Sequence, residues 1–373
     1  MTSCALRMKT FQLLVKPVSA DCNSHCVYCF YRRTESLYPE PAEHRMRAET
    51  LEPMVREFLE LRQPETIFSW QGGEPTLAGL DFFREAVRLE RAYGRPGQVV
   101  GNALQTNGLN LDREWADFLA EFQFLVGLSL DGPEEIHNTY RTNAAGRGTF
   151  EMVMAAAELL RRAGVAFNIL AVVSTANVER PAEVYRFFRR SGFPYLQFVP
   201  CLERDPSGRG LAPFAISPEA YGRFLCELWD LWLGDGFPQV SIRDFDSYLH
   251  RRLQGKANLC TYQSACGQYL VVEHNGDVYP CDFFVRPEWR LGRLGERRLR
   301  EFFRQPLALE FARKKTPPDP ECGRCSWRGH CHAGCPKDRL DAQGSPAGRT
   351  RFCSAYQAFF AHAEKDLARL RRR

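Results

Sequence analysis

The sequence has 373 residues, of which 44% are apolar and 25% are charged, so a sizeable core can form and global disorder is excluded. The net charge of +5 is too small to indicate a nucleic-acid-binding protein by itself. At about 150 residues per domain, the length suggests two domains. Fourteen cysteines are the unusual feature of the composition.

The role of the cysteines depends on whether the protein lies in a reducing or an oxidising compartment. The first ten residues do not resemble a signal peptide, and no window has the ~18 uninterrupted apolar residues that a membrane span needs. We therefore expect a cytoplasmic protein that contacts no membrane. In a reducing compartment clustered cysteines bind metal more often than they pair, and a secreted protein with disulfides is the alternative.

The first half of the sequence predicts a parallel α/β architecture, because short β-branched and aromatic runs alternate with segments of helical spacing. The predicted strands cover residues 11–16, 66–70, 99–105, 124–130, 167–173 and 196–199. The predicted helices between them cover residues 52–61, 82–93, 114–122, 151–163 and 182–191. The alternation stops after about Leu202, two units short of a full barrel, so the expected fold is a partial (β/α)6 TIM-like barrel.

The second half of the sequence has a different composition. A Pro- and Gly-rich connection over 203–218 leads to a predicted helix over 221–233, and from Asn258 onward regular periodicity is weak until a closing helix over 359–370. Eight of the fourteen cysteines lie between Cys260 and Cys353. Such a region predicts a small loop-rich domain that needs metal to fold. We place the domains at 1–235 and 236–373, with Arg371–Arg373 as a solvated end.

The polar and cysteine-rich motifs of the first half follow the predicted strands. Because the carboxyl ends of parallel strands meet at one face of a βα barrel, these motifs predict a single site there. They are Cys22, Cys26 and Cys29 after the first strand, 72–75 after the second, 105–108 after the third, 129–132 at the end of the fourth and 200–202 after the sixth.

The motif Cys22-x3-Cys26-x2-Cys29 offers three thiolates from one short loop. An iron–sulfur cluster of the [4Fe–4S] type usually takes four, so three ligands leave one iron open to a substrate or cofactor. A Cys3His zinc site that includes His25 is the alternative. Because His25 directly precedes Cys26, shared tetrahedral ligation by both is awkward.

This triplet, with Tyr28 before its last cysteine and Phe30-Tyr31 after it, resembles the signature of radical S-adenosylmethionine (SAM) enzymes. The Gly72-Gly73-Glu74-Pro75 segment resembles the methionine-binding loop of the same superfamily. The resemblance implies that the open iron binds the amino and carboxylate groups of SAM. One electron then cleaves SAM to methionine and a 5′-deoxyadenosyl radical, which abstracts hydrogen from the substrate.

The resemblance implies further SAM contacts. Tyr28, Gly72, Gly73 and Glu74 belong to the matching motifs, and glycines permit close backbone approach to a ligand. From the residues alone, a tight turn after a strand is the alternative explanation of the two glycines.

Three more SAM contacts are implied on later strands. Ser129 and Arg141 are expected to hold the ribose and carboxylate of SAM, since the guanidinium group pairs with carboxylates in bidentate fashion. Leu202 is expected to contact the adenine through its main chain. Without the resemblance, Ser129 is a polar residue at a strand end, Arg141 a solvated charge and Leu202 a residue near the core.

The cysteines of the second half are numerous enough for two four-cysteine sites. Spacing alone leaves structural zinc and iron–sulfur clusters equally open, because Cys322-x2-Cys325 is also typical of zinc ribbons. The region resembles the SPASM domain, which carries two auxiliary [4Fe–4S] clusters, so the resemblance implies three clusters in all. By family pattern the inner cluster is bound by Cys260, Cys266, Cys281 and Cys335, and the outer one by Cys322, Cys325, Cys331 and Cys353. The remaining thiols, those of Cys4, Cys201 and Cys226, are interpreted as packing residues.

Within this group the chain is most similar to the anaerobic sulfatase-maturating enzymes, over nearly its whole length. That family converts a Cys or Ser in a sulfatase C/S-x-P-x-R motif to Cα-formylglycine. The resemblance implies a sulfatase polypeptide as the partner, a donor such as flavodoxin or ferredoxin, and an auxiliary cluster that accepts the second electron. A thioaldehyde formed from Cys then hydrolyses.

Asp282 is the candidate base, because it adjoins the ligand Cys281 and a nearby negative cluster makes its carboxylate more basic. The alternative is an aspartate that bonds turn amides after Cys281. Two other functions stay open: a SPASM enzyme that crosslinks or oxidises another ribosomally made peptide, and a non-enzymatic binding protein whose loops are held by zinc or clusters.

Overall fold

The computed structural model describes residues 10–39, 44–205, 210–236, 239–316, 319–339 and 348–370. Cys4, the rest of the amino terminus considered above and Arg371–Arg373 lie outside the described residues. Among the described helices, none combines the length and the apolar composition that a bilayer crossing requires.

The strands form one sheet with the order β10-β9-β8-β1-β2-β3-β4-β5-β6-β7 in the described part of the chain. All neighbours from β8 through β1 to β7 are parallel, and β8-β9 and β9-β10 are antiparallel. The strands are β1 (Gln12–Lys16), β2 (Glu65–Trp70), β3 (Val99–Thr106), β4 (Leu125–Ser129), β5 (Phe167–Val173), β6 (Tyr195–Pro200), β7 (Ser241–Ile242), β8 (Tyr269–Glu273), β9 (Asp277–Tyr279) and β10 (Gly292–Arg293).

The helices cover the sheet and form most of the second half of the chain. The α-helices are α1 (Ala48–Glu60), α2 (Leu80–Tyr93), α3 (Arg113–Glu121), α4 (Glu134–Tyr140), α5 (Phe150–Arg162), α6 (Pro181–Arg190), α7 (Pro218–Gly234), α8 (Arg243–Gln254), α9 (Leu299–Phe302), α10 (Pro306–Arg313), α11 (Pro320–Arg324), α12 (Arg328–Cys331) and α13 (Cys353–Leu370). Short 3-10 helices include Phe30–Arg33, Pro75–Ala78, Cys260–Tyr262, Asp282–Phe284 and Pro336–Arg339.

Two hydrophobic clusters fill the space between sheet and helices. One packs β1–β4 and β8 against α1, α2 and α3, with Phe58, Phe68, Trp70 and Phe83 fully buried. The other packs β4–β6 against α5–α8 and also includes Phe359 of α13. The carboxyl-terminal helix therefore shares a core with the barrel.

The predicted partial barrel of six parallel βα units is confirmed, with strand ends within two residues of the prediction. The sheet is larger than predicted, because the short strand β7 extends it beside β6 and β8 extends it beside β1. The apolar run of β8 covers only residues 269–272 before Glu273, which is too short for hydrophobic periodicity to distinguish a strand from a loop. The division of the chain at residue 236 remains a prediction.

Candidate active site

The cysteine triplet lies in the loop that follows β1, at the carboxyl-end face of the sheet. Cys26 is buried, Cys22 and Cys29 are half-buried, and the three thiol charges interact with one another. Burial, the charge of Glu74 and the neighbouring thiols raise the pKa of Cys22 to about 12. The side-chain amide of Asn107 lies 3.6 Å from the Cys22 sulfur. Three neighbouring thiols with raised pKa values favour a centre whose cation stabilises the thiolates.

A buried aspartate that the sequence analysis did not select organises this loop. Asp131 Oδ1 accepts hydrogen bonds from Arg141 Nη2 at 3.0 Å and from the Val172 amide at 2.9 Å, and Oδ2 accepts the Tyr28 hydroxyl. The Arg141 guanidinium also lies 5.5 Å from the centre of the Tyr28 ring and bonds Cys26. Arg141 is therefore buried beside the triplet, and its interpretation as a solvated charge is wrong.

The Gly72–Glu74 segment packs directly on the chain before the triplet. A Cβ on Gly73 would lie 2.0 Å from the Asp21 carbonyl oxygen, and Gly72 has a φ of +116°. The amides of Gly73 and Glu74 donate to the carbonyls of Ser19 and Asp21. Both glycines are therefore required by backbone packing, whatever ligand approaches them.

Glu74 is fully buried and its carboxylate is occupied by the protein itself. Oε1 accepts hydrogen bonds from the hydroxyls of Thr76 and Thr106, and Oε2 accepts the Asn107 amide at 2.7 Å. Burial raises the pKa of Glu74. Through Asn107, Glu74 ties the glycine segment to the cysteine loop, which is a positioning role for its side chain.

The other two predicted SAM contacts lie at the same face. Ser129 ends β4, and its hydroxyl accepts a hydrogen bond from Gln105 Nε2 at 3.1 Å. Leu202 follows β6 and lines a cavity together with Asp282. Cys201 packs with Cys26 and Tyr28, which agrees with its interpretation as a packing thiol.

Asp282 is the centre of a second buried network. Its Oδ1 lies 2.8 Å from Lys16 Nζ, and its Oδ2 accepts the Tyr31 hydroxyl at 2.5 Å and the Gln71 amide at 3.4 Å. Lys16 also pairs with Glu273 at 3.1 Å. The side chain thus bonds the last residue of β1, the residue just after β2 and a residue just after the triplet, rather than the turn amides after Cys281.

The electrostatics of this network depend on Lys16. Burial by itself lowers the pKa of Lys16, but the charges of Asp282 and Glu273 outweigh burial and hold that pKa above its ordinary value. Burial and the Asp282 charge raise the pKa of Tyr31 well above its ordinary value. The site therefore contains a fixed ammonium group and a neutral phenol, both directed at one carboxylate.

A cavity of about 260 Å³ opens beside Asp282. Its wall is shared by the barrel and the carboxyl-terminal region, and it includes Phe30, Leu202, Glu203, Phe283, Arg286 and Lys337. Lys337 pairs with Glu203 at 2.6 Å, which links the two halves of the wall.

The thiols of the second half lie in two neighbourhoods, and their assignment to two clusters remains a prediction. In the inner group the charges of Cys260, Cys266, Cys281 and Cys335 interact with one another. Burial raises the pKa values of Cys281 and Cys335 well above the ordinary range. In the outer group, a cavity of about 170 Å³ is lined by Cys322, Cys325, Cys331 and Cys353.

The spacing of the cysteine sulfurs can be compared with the spacing that a zinc site requires. A tetrahedral zinc ion with Zn–S bonds of about 2.3 Å brings its sulfurs to about 3.8 Å from one another. In the part of the chain that the structure describes, no three cysteine sulfurs lie within 4.8 Å of one another, and His25 joins no such group. The described thiols are therefore not arranged as a formed tetrahedral zinc site.

Comparison with known proteins agrees with this arrangement. Residues 17–188 match the model of the radical SAM superfamily, and residues 260–326 match the SPASM model, an iron–sulfur cluster-binding domain. A cysteine-type anaerobic sulfatase-maturating enzyme from Clostridium perfringens is 39% identical over 95% of this chain and 97% of its own. A serine-type enzyme from Bacteroides thetaiotaomicron is 37% identical over 95% and 89%.

The chain belongs to the anaerobic sulfatase-maturating enzymes. A solved structure of native anSMEcpe with bound AdoMet and Cp18Cys peptide covers 96% of this chain and 98% of its own, with a TM-score of 0.89 and 38% identity. The family predicted from the cysteine motifs is thereby confirmed, and with it an enzyme that uses SAM and [4Fe–4S] clusters.

Sequence reasoning missed the residues that hold the two aspartates. Lys16, Tyr31 and Gln71 surround Asp282, and Asp131 connects Tyr28 to Arg141. Tyr31 lies just after the cysteine triplet, and Asp131 lies in the polar motif 129–132. Lys16 had no local signal except a charge at the end of an apolar strand.

Proposed function

We propose that this enzyme oxidises a Cys or Ser in a C/S-x-P-x-R segment of a sulfatase to Cα-formylglycine. The observation that carries the proposal is a buried carboxylate, Asp282, that faces a cavity large enough for part of a peptide and adjoins a cysteine of the inner group. The cysteine- and serine-type relatives act on sulfatases by name, and a peptide is bound in the similar solved structure.

The proposed cofactor sites follow from the thiol groups. Cys22, Cys26 and Cys29 hold one [4Fe–4S] cluster, the inner group a second and the outer group a third. Tyr28, Gly72, Gly73, Glu74, Ser129, Arg141 and Leu202 form the SAM site, with Glu74 acting through its bonds to Thr106 and Asn107. When bound, SAM and the first cluster supply a radical that removes one hydrogen atom from the substrate carbon.

Asp282 accepts the thiol or hydroxyl proton of the substrate at its carboxylate oxygen. Lys16 keeps a positive charge 2.8 Å from that oxygen, and Tyr31 and Gln71 fix the direction of the carboxylate. The general base is thus positioned before the peptide enters, which is where acid–base catalysis gains its rate. Cys281 of the inner group directly precedes Asp282 in the chain, so a cluster held by that group would lie near the substrate and would supply the acceptor for the second electron.

The partners and the compartment follow from the same chemistry. The cluster at the triplet requires a low-potential donor, for which a flavodoxin or ferredoxin is suited. The thiolates have to remain reduced for the clusters to assemble, so we place the enzyme in the cytoplasm.

One anaerobic reaction tests this function. The reconstituted enzyme is mixed with SAM, a strong reductant and a peptide containing C-x-P-x-R, and mass spectrometry follows both 5′-deoxyadenosine and the peptide. We expect an aldehyde at the cysteine, and a matched peptide with alanine at that position yields none. A peptide with serine tests the second substrate type in the same assay.

The same assay separates the remaining candidates. Deoxyadenosine without a change in the C-x-P-x-R peptide would reject the sulfatase substrate and favour another ribosomally made peptide. Metal analysis of the purified protein tests the third candidate, because zinc in place of iron, with no deoxyadenosine, would reject the radical SAM reaction and favour a binding protein.

A further inference from the structure

Two buried cations lie between the inner and the outer cysteine groups. Lys315 is 2% exposed and Arg339 is 3% exposed. Neither has a carboxylate within the 4.0 Å of a salt bridge among the residues that the structure describes. The buried carboxylate of Asp338 interacts with both cations, which leaves one negative charge for two positive ones, so a second anionic group is needed to balance the pair.

Lys315 connects the loops of two inner cysteines. Its ammonium group donates to the Thr261 carbonyl at 2.6 Å and to the Gly334 carbonyl at 2.7 Å. Thr261 directly follows Cys260, and Gly334 directly precedes Cys335. The cation is therefore fixed by backbone next to two thiols of the inner group.

Arg339 occupies a similar position with an unsatisfied donor. Its Nη2 donates to the Lys314 carbonyl at 2.6 Å, whereas its buried Nε has no hydrogen-bond partner. Asp338 is the nearby acid, and its carboxylate is buried beside Lys337 and the two cations. Among the described residues no acceptor lies on this buried donor, so the guanidinium can still bind a negatively charged group.

The charges of both cations reach both cysteine groups. Lys315 interacts with Cys266, Cys335 and Cys260 of the inner group and with Cys331 of the outer group. Arg339 interacts with Cys266 and Cys335 and with the outer Cys322 and Cys331. Lys315 and Arg339 therefore each interact with both cysteine groups.

We propose that Lys315 and Arg339 are positioning residues that raise the reduction potentials of both auxiliary clusters at once. This inference rests on the proposed function, which assigns those clusters to the two groups. A four-thiolate cluster carries a net charge of about −2, and each electron added makes it more negative. Two fixed positive charges stabilise the reduced forms, so the clusters can accept an electron from the substrate more readily.

The test is an EPR-monitored redox titration of the full chain. Cys22, Cys26 and Cys29 are replaced by alanine so that only the auxiliary groups are loaded, and Lys315→Met and Arg339→Met are made in that background. At a fixed solution potential we expect the ratio of reduced to oxidised cluster to fall at least tenfold for both clusters, which is 59 mV for a one-electron couple.

The controls separate charge from structure. Lys315→Arg and Arg339→Lys keep the charge and should restore the parent potentials. Lys314→Met removes a neighbouring half-buried lysine that pairs with Glu310 at 3.3 Å, and its potentials should match the parent. Lys315→Met and Arg339→Met are measured separately. If one variant fails to bind its clusters, the potentials of the other still test the inference.

The outcomes distinguish this inference from the function on which it rests. Full iron content with unshifted potentials in the methionine variants overturns the inference alone. A shift in only one cluster overturns the claim that the cations are shared. A parent protein that binds no auxiliary iron overturns the proposed function and this inference together.

Discussion

Two buried aspartates lie on either side of the cysteine triplet, and their partners are nearly the same. Asp131 is bonded by Tyr28 and Arg141, and Asp282 by Tyr31 and Lys16. The two tyrosines are three residues apart in one loop. One aspartate is enclosed by its donors, whereas the other also faces a cavity of about 260 Å³.

The difference between the two centres is one of access rather than composition. Both oxygens of Asp131 accept hydrogen bonds, including one from the Val172 amide, so the carboxylate has a structural task. Asp282 Oδ1 is bound by Lys16, at 2.8 Å. A buried acid with a fixed cation becomes a candidate base only where a substrate can reach it.

The largest expected effect is on catalysis and tests Asp282, the aspartate that faces the cavity. Asp282→Asn should lower peptide oxidation by about 100-fold or more, the usual contribution of a positioned base, while SAM binding and iron content stay unchanged. Turnover is measured by mass spectrometry under anaerobic conditions. Glu273→Gln, which also removes a carboxylate from Lys16 but leaves Asp282 in place, is the matched control. Equal losses in the two variants would contradict the assignment.

Asp131, the aspartate enclosed by its donors, is tested by measuring the stability of the fold. Asp131→Asn leaves the buried Arg141 without its carboxylate, and breaking such a pair costs about 3–5 kcal/mol. Thermal unfolding of the iron-loaded protein should show a clearly lower transition than in Asp282→Asn. The latter loses less, because Glu273 stays 3.1 Å from Lys16. The opposite order would contradict the distinction between the centres.

The two tyrosines allow a direct comparison by one substitution each. Tyr31→Phe removes a donor from the reacting carboxylate and should slow turnover about 10-fold, since a hydrogen bond to a charged group contributes roughly 1.5–3 kcal/mol. Tyr28→Phe leaves Asp131 with Arg141 and the Val172 amide, so turnover should change less. Rates with saturating peptide decide between them.

The smallest effect comes from a third buried carboxylate, one without a cation. Glu90 accepts a hydrogen bond from Asn102 at 2.9 Å, its other oxygen has no partner, and burial raises its pKa to about 7. The stability from its protonated form is present below pH 4.5 and lost as the pH rises through 7. Glu90→Gln should therefore stabilise the fold by about 1–2 kcal/mol at pH 8 and hardly at pH 5.

Denaturant unfolding at the two pH values measures this last effect. Turnover should not change, because Glu90 lies on α2 and bonds Asn102 of β3, away from the cysteine loop. A variant that is less stable at pH 8 would show that the ionised carboxylate has a partner after all.

The sequence was sufficient for the six parallel strands and for the family, because both are encoded locally. Alternating apolar runs predict the strands, and the spacing of Cys22, Cys26 and Cys29 predicts the cluster loop. The grouping of the eight later cysteines was available only through the resemblance, since Cys335 stands between Cys331 and Cys353 in sequence but joins Cys260 in space.

The supporting residues could not be predicted because their partners are distant in sequence. Lys16 meets Asp282 only after β8 has paired with β1, and the Tyr31 bond to Asp282 spans 251 positions. A lone lysine at the end of a strand gives no such signal. Arg141 was interpreted as solvated without the resemblance because its burial depends on Asp131 and Tyr28 together.

The pairing of β1 with β8 also determines the order in which the chain can fold. Gln12 pairs with Tyr269, so one neighbour of the first strand is synthesised some 250 residues later. At 5–20 residues per second, synthesis of that length takes about 13 to 50 s. Throughout that interval one edge of β1 is an unpaired strand edge, a template for association with other chains. Nascent chains are thus most exposed to aggregation before the cysteine-rich half emerges, and truncation before residue 269 leaves that edge open permanently.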